Sequence, residues 1–241
     1  MEIVKEHITL ILLLGGSGNR FESSIPKQFL KFSENSEPLF IRSLMAIEQF
    51  AILDHLVLVV NKAYIQKREF LTPFEKYQSA GRSSSKPGKI TVKKGENTRH
   101  QSFLSGASAV NFHDERFVLV HDANRPYFSE TFSMEIAARI KTLSMQKACL
   151  VPVVSSVDSL CKISTEGKIQ EYIPRDQTCR IQTPQLVYAQ ALDEAVKKSR
   201  SLNLDTDYTD EGSFMMSMGF EVYTFPGDPG NIKITTREDV P

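Results

Sequence analysis

The chain has 241 residues, of which 41% are hydrophobic and 24% charged, enough for one large globular domain or two small ones. Lys plus Arg is 29 and Asp plus Glu is 29, and this zero net charge argues against a general nucleic-acid or membrane-surface binder. No apolar run approaches the roughly 20 residues of a membrane span, and the acidic Met1–His7 segment does not read as a secretory signal.

Ile8 to Leu14 is a continuous apolar run ending at glycine, the pattern of a strand buried on both faces of a parallel sheet. The loop that follows, Gly15-Gly16-Ser17-Gly18-Asn19-Arg20-Phe21, lets the backbone turn sharply and expose N–H groups to an anion. Arg20 and Lys27 add two cations, so a polyanion such as a triphosphate suits this loop. The bland alternative is a glycine-rich turn with surface cations. No Gly-Lys-Ser/Thr closes the loop as in a Walker A site, and Phe21 stands where a dinucleotide fingerprint needs its third glycine.

Pro38 opens a helix whose apolar residues are Phe40, Leu44 and Ile47, and His55–Val60 is a second buried strand. A polar helical stretch is expected from Ala63, broken at Pro73. A loop at 81–88 follows, then a short strand at Ile90–Val92, then a helix from about Thr98 with Phe103, Leu104, Ala107 and Val110 as its inner face. Phe117–Val120 is a strand leading into His121-Asp122-Ala123-Asn124-Arg125-Pro126. Ser129 caps a helix expected to reach about Met145, and Ala148–Val154 is another strand. This alternation predicts an α/β fold with a mostly parallel sheet, whose ligands bind outside the strand carboxyl ends. Asp122, just past a strand, suits Mg²⁺ or a ligand hydroxyl; a turn or helix cap is the commoner role of a lone Asp.

Ser159–Ile163 and Lys168–Ile173, joined through Gly167, predict a hairpin too small for its own core. A second subunit is the surface expected to cover it. Ala189–Ser199 is a helix, and Thr209-Asp210-Glu211 opens another with Thr209 as the cap and Phe214, Met215 and Met218 inside. Phe220–Phe225 is a strand, and Asn231-Ile232-Lys233-Ile234-Thr235 follows a Pro/Gly-rich turn. Cys149, Cys161 and Cys179 lack metal-ligand spacing and read as reduced thiols of a cytoplasmic protein.

Six segments occur in an order that resembles the 2-C-methyl-D-erythritol 4-phosphate cytidylyltransferase family: 14–20, 26–28, 121–126, 182–185, 209–211 and 231–235. The similarity runs from about Leu10 to Asp239. It implies a Rossmann-like nucleotidyltransferase, a single domain over 1–241 with a protruding β-arm at about 155–181, and a homodimer made through that arm. It implies Mg²⁺ and a reaction of CTP with a polyol phosphate, giving a CDP-polyol and pyrophosphate. Arg20 and Lys27 match the pair that stabilises the transition state, and Gly15, Gly16, Ser17 and Gly18 the phosphate loop. Arg99 and Ser102 match cytidine contacts. Asp122, Arg125, Thr209 and Lys233 match contacts to the polyol phosphate, Arg175 the arginine from the partner's arm, and Ser159 the place of an arm threonine.

Asn124 stands where the family usually has Ala, the 153–159 connection is longer than usual, 82–89 is inserted, and the family usually continues past Pro241 into a last helix. A sister family, ribitol-5-phosphate cytidylyltransferase, shares most of these motifs; Arg175-Asp176 resembles it, whereas Thr209-Asp210-Glu211 favours the methylerythritol enzyme. A CTP-binding regulatory module without catalysis is a third reading, opposed by intact Arg20, Lys27, Asp122 and Lys233.

Overall fold

The computed structural model describes residues 7–15, 21, 23–33, 35–80, 87–202, 204 and 206–240. Gly16, Ser17, Gly18 and Arg20, and most of the predicted 81–88 loop, lie outside the described residues. The elements run in the order β1 (Ile8–Leu14), α1 (Leu39–Glu48), β2 (His55–Asn61), α2 (Arg68–Ser79), β3 (Lys89–Gly95), α3 (Arg99–Ala107), β4 (Phe117–Asp122) and α4 (Glu130–Ile140). They continue with β5 (Cys149–Ser155), β6 (Leu160–Ile163), β7 (Ile169–Ile173), β8 (Cys179–Ile181), β9 (Gln185–Tyr188), α5 (Ala189–Ser201), α6 (Glu211–Ser217) and β10 (Val222–Pro226).

The main sheet has the order β10-β5-β9-β4-β1-β2-β3, with β8 added beside β5. It is mostly parallel: β1 pairs with β2 and β4, β2 with β3, and β5 with β10. The exceptions are β9, which runs antiparallel between β4 and β5, and β8, which pairs antiparallel with β5. Strand alternation sends Leu10, Leu12, Leu14, Leu56, Leu58 and Leu119 to one face, under α1, α2 and α4. Ile11, Leu13, Val57, Val59, Val118 and Val120 face the other way, under α3, α5 and α6. Covering both faces is what an apolar run such as Ile8–Leu14, buried at every position, requires. On α3, a Cβ on Gly106 would lie 2.7 Å from Ile11 Cγ2 and 2.8 Å from Val59 Cγ2, so the helix seats directly on the sheet.

Several expectations change. Residues after Ala63 form turns, and α2 begins only at Arg68 and passes through Pro73. The stripe Phe70, Phe74 and Tyr77 is buried, and Phe70 stacks on Phe74 with ring centroids 5.2 Å apart. That burial outweighs the one intrahelical bond that proline removes. Ser129 does cap α4, accepting the Phe132 N–H at 3.1 Å, but the helix ends at Ile140 rather than near Met145. The four-residue strand β9 carries too short an apolar pattern to stand out, and its burial between two neighbours makes it a strand.

The predicted hairpin is present as β6 and β7, which pair only with each other, turning at Gly167 with φ +83°. It leaves the body after β5 and returns through β8. Val157, Ile163, Ile169 and Tyr172 are exposed along this excursion.

Candidate active site

The parallel strands β1, β3 and β4 place Gly15, Gly95 and Asp122 at one edge of the sheet. Because β9 runs the other way, its entry segment, Gln182–Pro184, reaches the same edge. The carboxyl end of β1 is pinned by side chains. Gln28 Nε2 donates to the Leu14 carbonyl at 2.8 Å, and Asn61 Nδ2 donates to the Gly15 carbonyl at 3.1 Å. Gln28 sits in a 3₁₀ turn, Lys27–Phe29, so the residue next to Lys27 is bonded to the end of β1.

Gly15, Gly95 and Ser102 converge. A Cβ on Gly15 would stand 3.1 Å from Ser102 Oγ, and one on Gly95 would stand 3.3 Å from the Gly15 Cα. The Ser102 hydroxyl accepts the Glu96 N–H at 2.9 Å, and Thr98 caps α3 by accepting the Gln101 N–H. The predicted nucleotide contact Ser102 therefore lies on the strand end that carries the glycine loop.

Asp122 is the centre of the charged cluster. Its Oδ1 accepts Arg99 Nε at 3.1 Å, its Oδ2 lies 2.7 Å from Lys233 Nζ, and Arg125 Nε stands 3.9 Å from Oδ2. Arg99 also meets Glu211 with both prongs, Nη1 to Oε1 at 2.8 Å and Nη2 to Oε2 at 3.1 Å. Three cations face two carboxylates, which leaves one net positive charge at the sheet edge. Burial would raise the Asp122 carboxyl, but Arg99, then Lys233 and Arg125, hold it well below the usual carboxylate range. Burial also pushes the Glu211 carboxyl up, against the pull of Arg99. Desolvation works against the Arg99 charge, yet its two carboxylate partners hold its proton more firmly than usual.

Behind Asp122 lies an ordered polar chain. The Arg125 carbonyl, 3.0 Å from His121 Nε2, can only accept, so the neutral ring carries its proton on Nε2. His121 Nδ1 then accepts the Thr183 hydroxyl proton at 2.9 Å, while Thr183 Oγ1 accepts the Asp122 N–H at 3.1 Å. Burial holds this imidazole neutral and pushes its pKa down to about 4.

The Lys233 segment has no regular structure and is held by side chains instead. Asn124 Nδ2 donates to the Ile234 carbonyl at 2.7 Å, and the Ile234 N–H donates to the Asn124 carbonyl at 2.9 Å. Arg125 Nη1 donates to the Asn231 carbonyl at 2.9 Å, and Asn231 Nδ2 donates to the Thr183 carbonyl at 2.8 Å. Ile234 packs with Phe21 and Leu39, which ties the segment to the chain around the glycine loop. Asn124, the departure noted in the sequence, is thus a tether for the residue next to Lys233.

The structure brings Arg99, Asp122, Arg125 and Lys233 together and adds Glu211 and Thr183, which sequence reasoning passed over. The signal for Glu211 was present in Thr209-Asp210-Glu211, where it read only as a first-turn acid. Thr209 is not the cap of α6: Asp210 is, accepting the Ser213 N–H at 2.7 Å, which leaves the Thr209 side chain exposed. Ser159 and Arg175 are exposed on the arm. Among the described residues neither bonds to the Asp122 cluster; Arg175 Nη1 donates to the Val157 carbonyl at 3.2 Å.

A family model described as "IspD: 2-C-methyl-D-erythritol 4-phosphate cytidylyltransferase" matches residues 8–241. The 2-C-methyl-D-erythritol 4-phosphate cytidylyltransferase of Syntrophus aciditrophicus is 29% identical over 243 residues, covering 98% of this chain and 94% of that protein. The enzyme of the same name from Thermosipho africanus is 34% identical, covering 95% of this chain and 93% of its own. Among solved structures, the Francisella tularensis 2-C-methyl-D-erythritol 4-phosphate cytidylyltransferase superposes with a TM-score of 0.72 at 23% identity, over 97% of this chain and 96% of that one. The fold and a match spanning nearly the whole chain place this protein in the 2-C-methyl-D-erythritol 4-phosphate cytidylyltransferase family.

Proposed function

We propose that the chain transfers the cytidylyl group of CTP to 2-C-methyl-D-erythritol 4-phosphate, a step of isoprenoid biosynthesis. The observation that carries this reading is the family match over residues 8–241, joined to a net-positive cluster at the carboxyl end of β4. A phosphate oxygen of the polyol substrate attacks the α-phosphorus of CTP in line. A new P–O bond forms, the bond between the α-phosphorus and the bridging oxygen breaks, and pyrophosphate leaves with that electron pair. The reaction needs no protein nucleophile; the protein positions two polyanions and neutralises their charge.

In this reading Arg20 and Lys27 stabilise charge at the α-phosphate. The backbone of Gly15, Gly16, Ser17 and Gly18 cradles the phosphates, and Ser102 shapes the cytidine side. Lys233, 41% exposed while bonded to Asp122, offers its ammonium to the polyol phosphate, which Arg125 and Thr209 would also contact. Arg99 is a weaker candidate for cytidine contact, because its Nε, Nη1 and Nη2 already serve Asp122 and Glu211.

Mg²⁺ belongs to the proposed reaction as a companion of the triphosphate. Asp122 does not fit its ligand as the cluster stands. Both carboxylate oxygens accept cations, and an added ion would face Arg99, Arg125 and Lys233. Among the described residues no group of three His, Cys, Asp or Glu side chains could hold a metal ion. This agrees with the preference of Mg²⁺ for substrate phosphates and water over all-protein cages.

The domain is read as a single unit whose arm, at about 155–181, makes a homodimer. Exposed Val157, just before β6, and Ile163 and Tyr172 on the two-stranded sheet support this, being apolar surface on an arm with no core of its own. Arg175 and Ser159 would then serve the partner's site. A cytoplasmic location is supported by Cys161 and Cys179, which are exposed and free. No helix among the described residues is long and apolar enough to cross a membrane.

Pyrophosphate release from CTP and Mg²⁺ tests the reaction, with methylerythritol phosphate and ribitol phosphate offered in parallel. Release with methylerythritol phosphate alone is expected; release with ribitol phosphate alone would move the chain to the sister activity. CTP binding without release from either would leave the regulatory module.

A further inference from the structure

We propose that Glu211 is a positioning residue for the polyol-phosphate subsite, acting through Arg99 and Asp122 on Lys233. The inference rests on the reaction proposed above and assigns a role within it.

Glu211 is the first residue of α6, and its side chain is only 1% exposed. A carboxylate so deeply buried requires a partner. Its partner is the two-pronged guanidinium of Arg99, at 2.8 and 3.1 Å, which fixes the plane of that group. The remaining edge of the guanidinium, Nε–H, then points at Asp122 Oδ1, 3.1 Å away. With Oδ1 engaged, Asp122 presents Oδ2 to Lys233 Nζ at 2.7 Å.

Carboxylate, guanidinium, carboxylate and ammonium therefore alternate across four segments: α6, α3, the end of β4 and the 231–235 stretch. A purely structural ion pair would end at Arg99. Here the same guanidinium also holds the carboxylate that holds Lys233. A lysine ammonium on a flexible stem is located only by what it meets. Without Glu211, Arg99 keeps a single carboxylate partner and turns its fork onto both oxygens of Asp122. Lys233 then shares Oδ2 with that fork and loses its fixed place beside the substrate phosphate. The side of the site built by Gly15, Gly95 and Ser102 is untouched by that change.

The test is steady-state pyrophosphate release, with each substrate varied in turn, for wild type, Glu211→Gln, Glu211→Asp, Arg99→Lys and the Glu211→Gln/Arg99→Lys double variant. Melting curves are run alongside. Glu211→Gln is expected to raise KM for methylerythritol phosphate about tenfold or more, as losing a charged hydrogen bond would. KM for CTP should change far less. Glu211→Asp should recover part of the loss by restoring the charge. The double variant should be no worse than the worse single one, since both residues act through one chain of contacts. Unchanged KM for the polyol phosphate, an equal rise in both KM values, or additive losses would overturn the inference. If Glu211→Gln fails to fold, Glu211→Asp and Arg99→Lys carry the same comparison. Wild-type protein that releases no pyrophosphate overturns the reaction itself, an outcome separate from active wild type with an unaffected Glu211 variant.

Discussion

Asn124 grips Ile234 from both sides, through its side-chain nitrogen at 2.7 Å and its backbone carbonyl at 2.9 Å, and so fixes the neighbour of Lys233. Asn124→Ala removes the side-chain half and leaves the buried Ile234 carbonyl without that donor. The expected cost is about 1–2 kcal/mol of stability. KM for the polyol phosphate should rise a few-fold as Lys233 loosens, with kcat nearly unchanged. Thermal melts and a polyol-phosphate titration check this; a substrate preference switched to ribitol phosphate would show instead that Asn124 selects the polyol.

Lys27 is expected to act on rate rather than on folding. It sits in a short 3₁₀ turn that Gln28 and Phe29 anchor by burial, so the turn survives without the lysine. Lys27→Ala should lower kcat by about 10²–10³ while the melting temperature holds, as for other lost groups that stabilise transition-state charge. Near-normal turnover would remove Lys27 from the catalytic pair.

His121 makes stability depend on acidity. Its folded pKa is pushed down to about 4, from an ordinary value of 6.5, by burial between Thr183 and the Arg125 carbonyl. Between those values the unfolded chain binds the proton and the folded chain does not, so stability falls as pH drops from 6.5 towards 4. The full span corresponds to about 3 kcal/mol. Denaturant melts across that window should show the slope. His121→Asn, which lacks a titrating group, should flatten it whatever its effect on absolute stability.

The arm can be tested by mixing. If Arg175 serves the partner's site, Lys27→Ala and Arg175→Ala chains are each poorly active alone. A mixed dimer then holds one intact site, built from Lys27 of one chain and Arg175 of the other. Random re-association should restore about a quarter of wild-type activity. Recovery no greater than the sum of the two variants would return Arg175 to its own chain or to solvent.

Much was determined by the sequence alone. Ile8–Leu14 and Phe117–Val120 read as buried strands, because runs that are apolar apart from Thr9 need cover on both faces. The hairpin around Gly167 was marked by two short strand patterns and a residue able to take positive φ. Membership of a nucleotidyltransferase family was legible in six short segments read in order. These are local properties, or matches of local pattern, and neighbours along the chain suffice to specify them.

The tertiary structure alone decided which charges meet. Arg99 and Glu211 are 112 residues apart, Asn124 and Ile234 110 apart, and no periodicity links such pairs. They meet because the carboxyl ends of β3 and β4 and the reversed entry to β9 share one sheet edge. For the same reason Asp122 is surrounded by Arg99, Arg125 and Lys233. Thr209 lost its capping role because the Asp210 carboxylate reached the Ser213 N–H first. Pro73 stayed inside α2 because burying Phe70, Phe74 and Tyr77 outweighs one missing hydrogen bond, a balance that only packing against the sheet reveals.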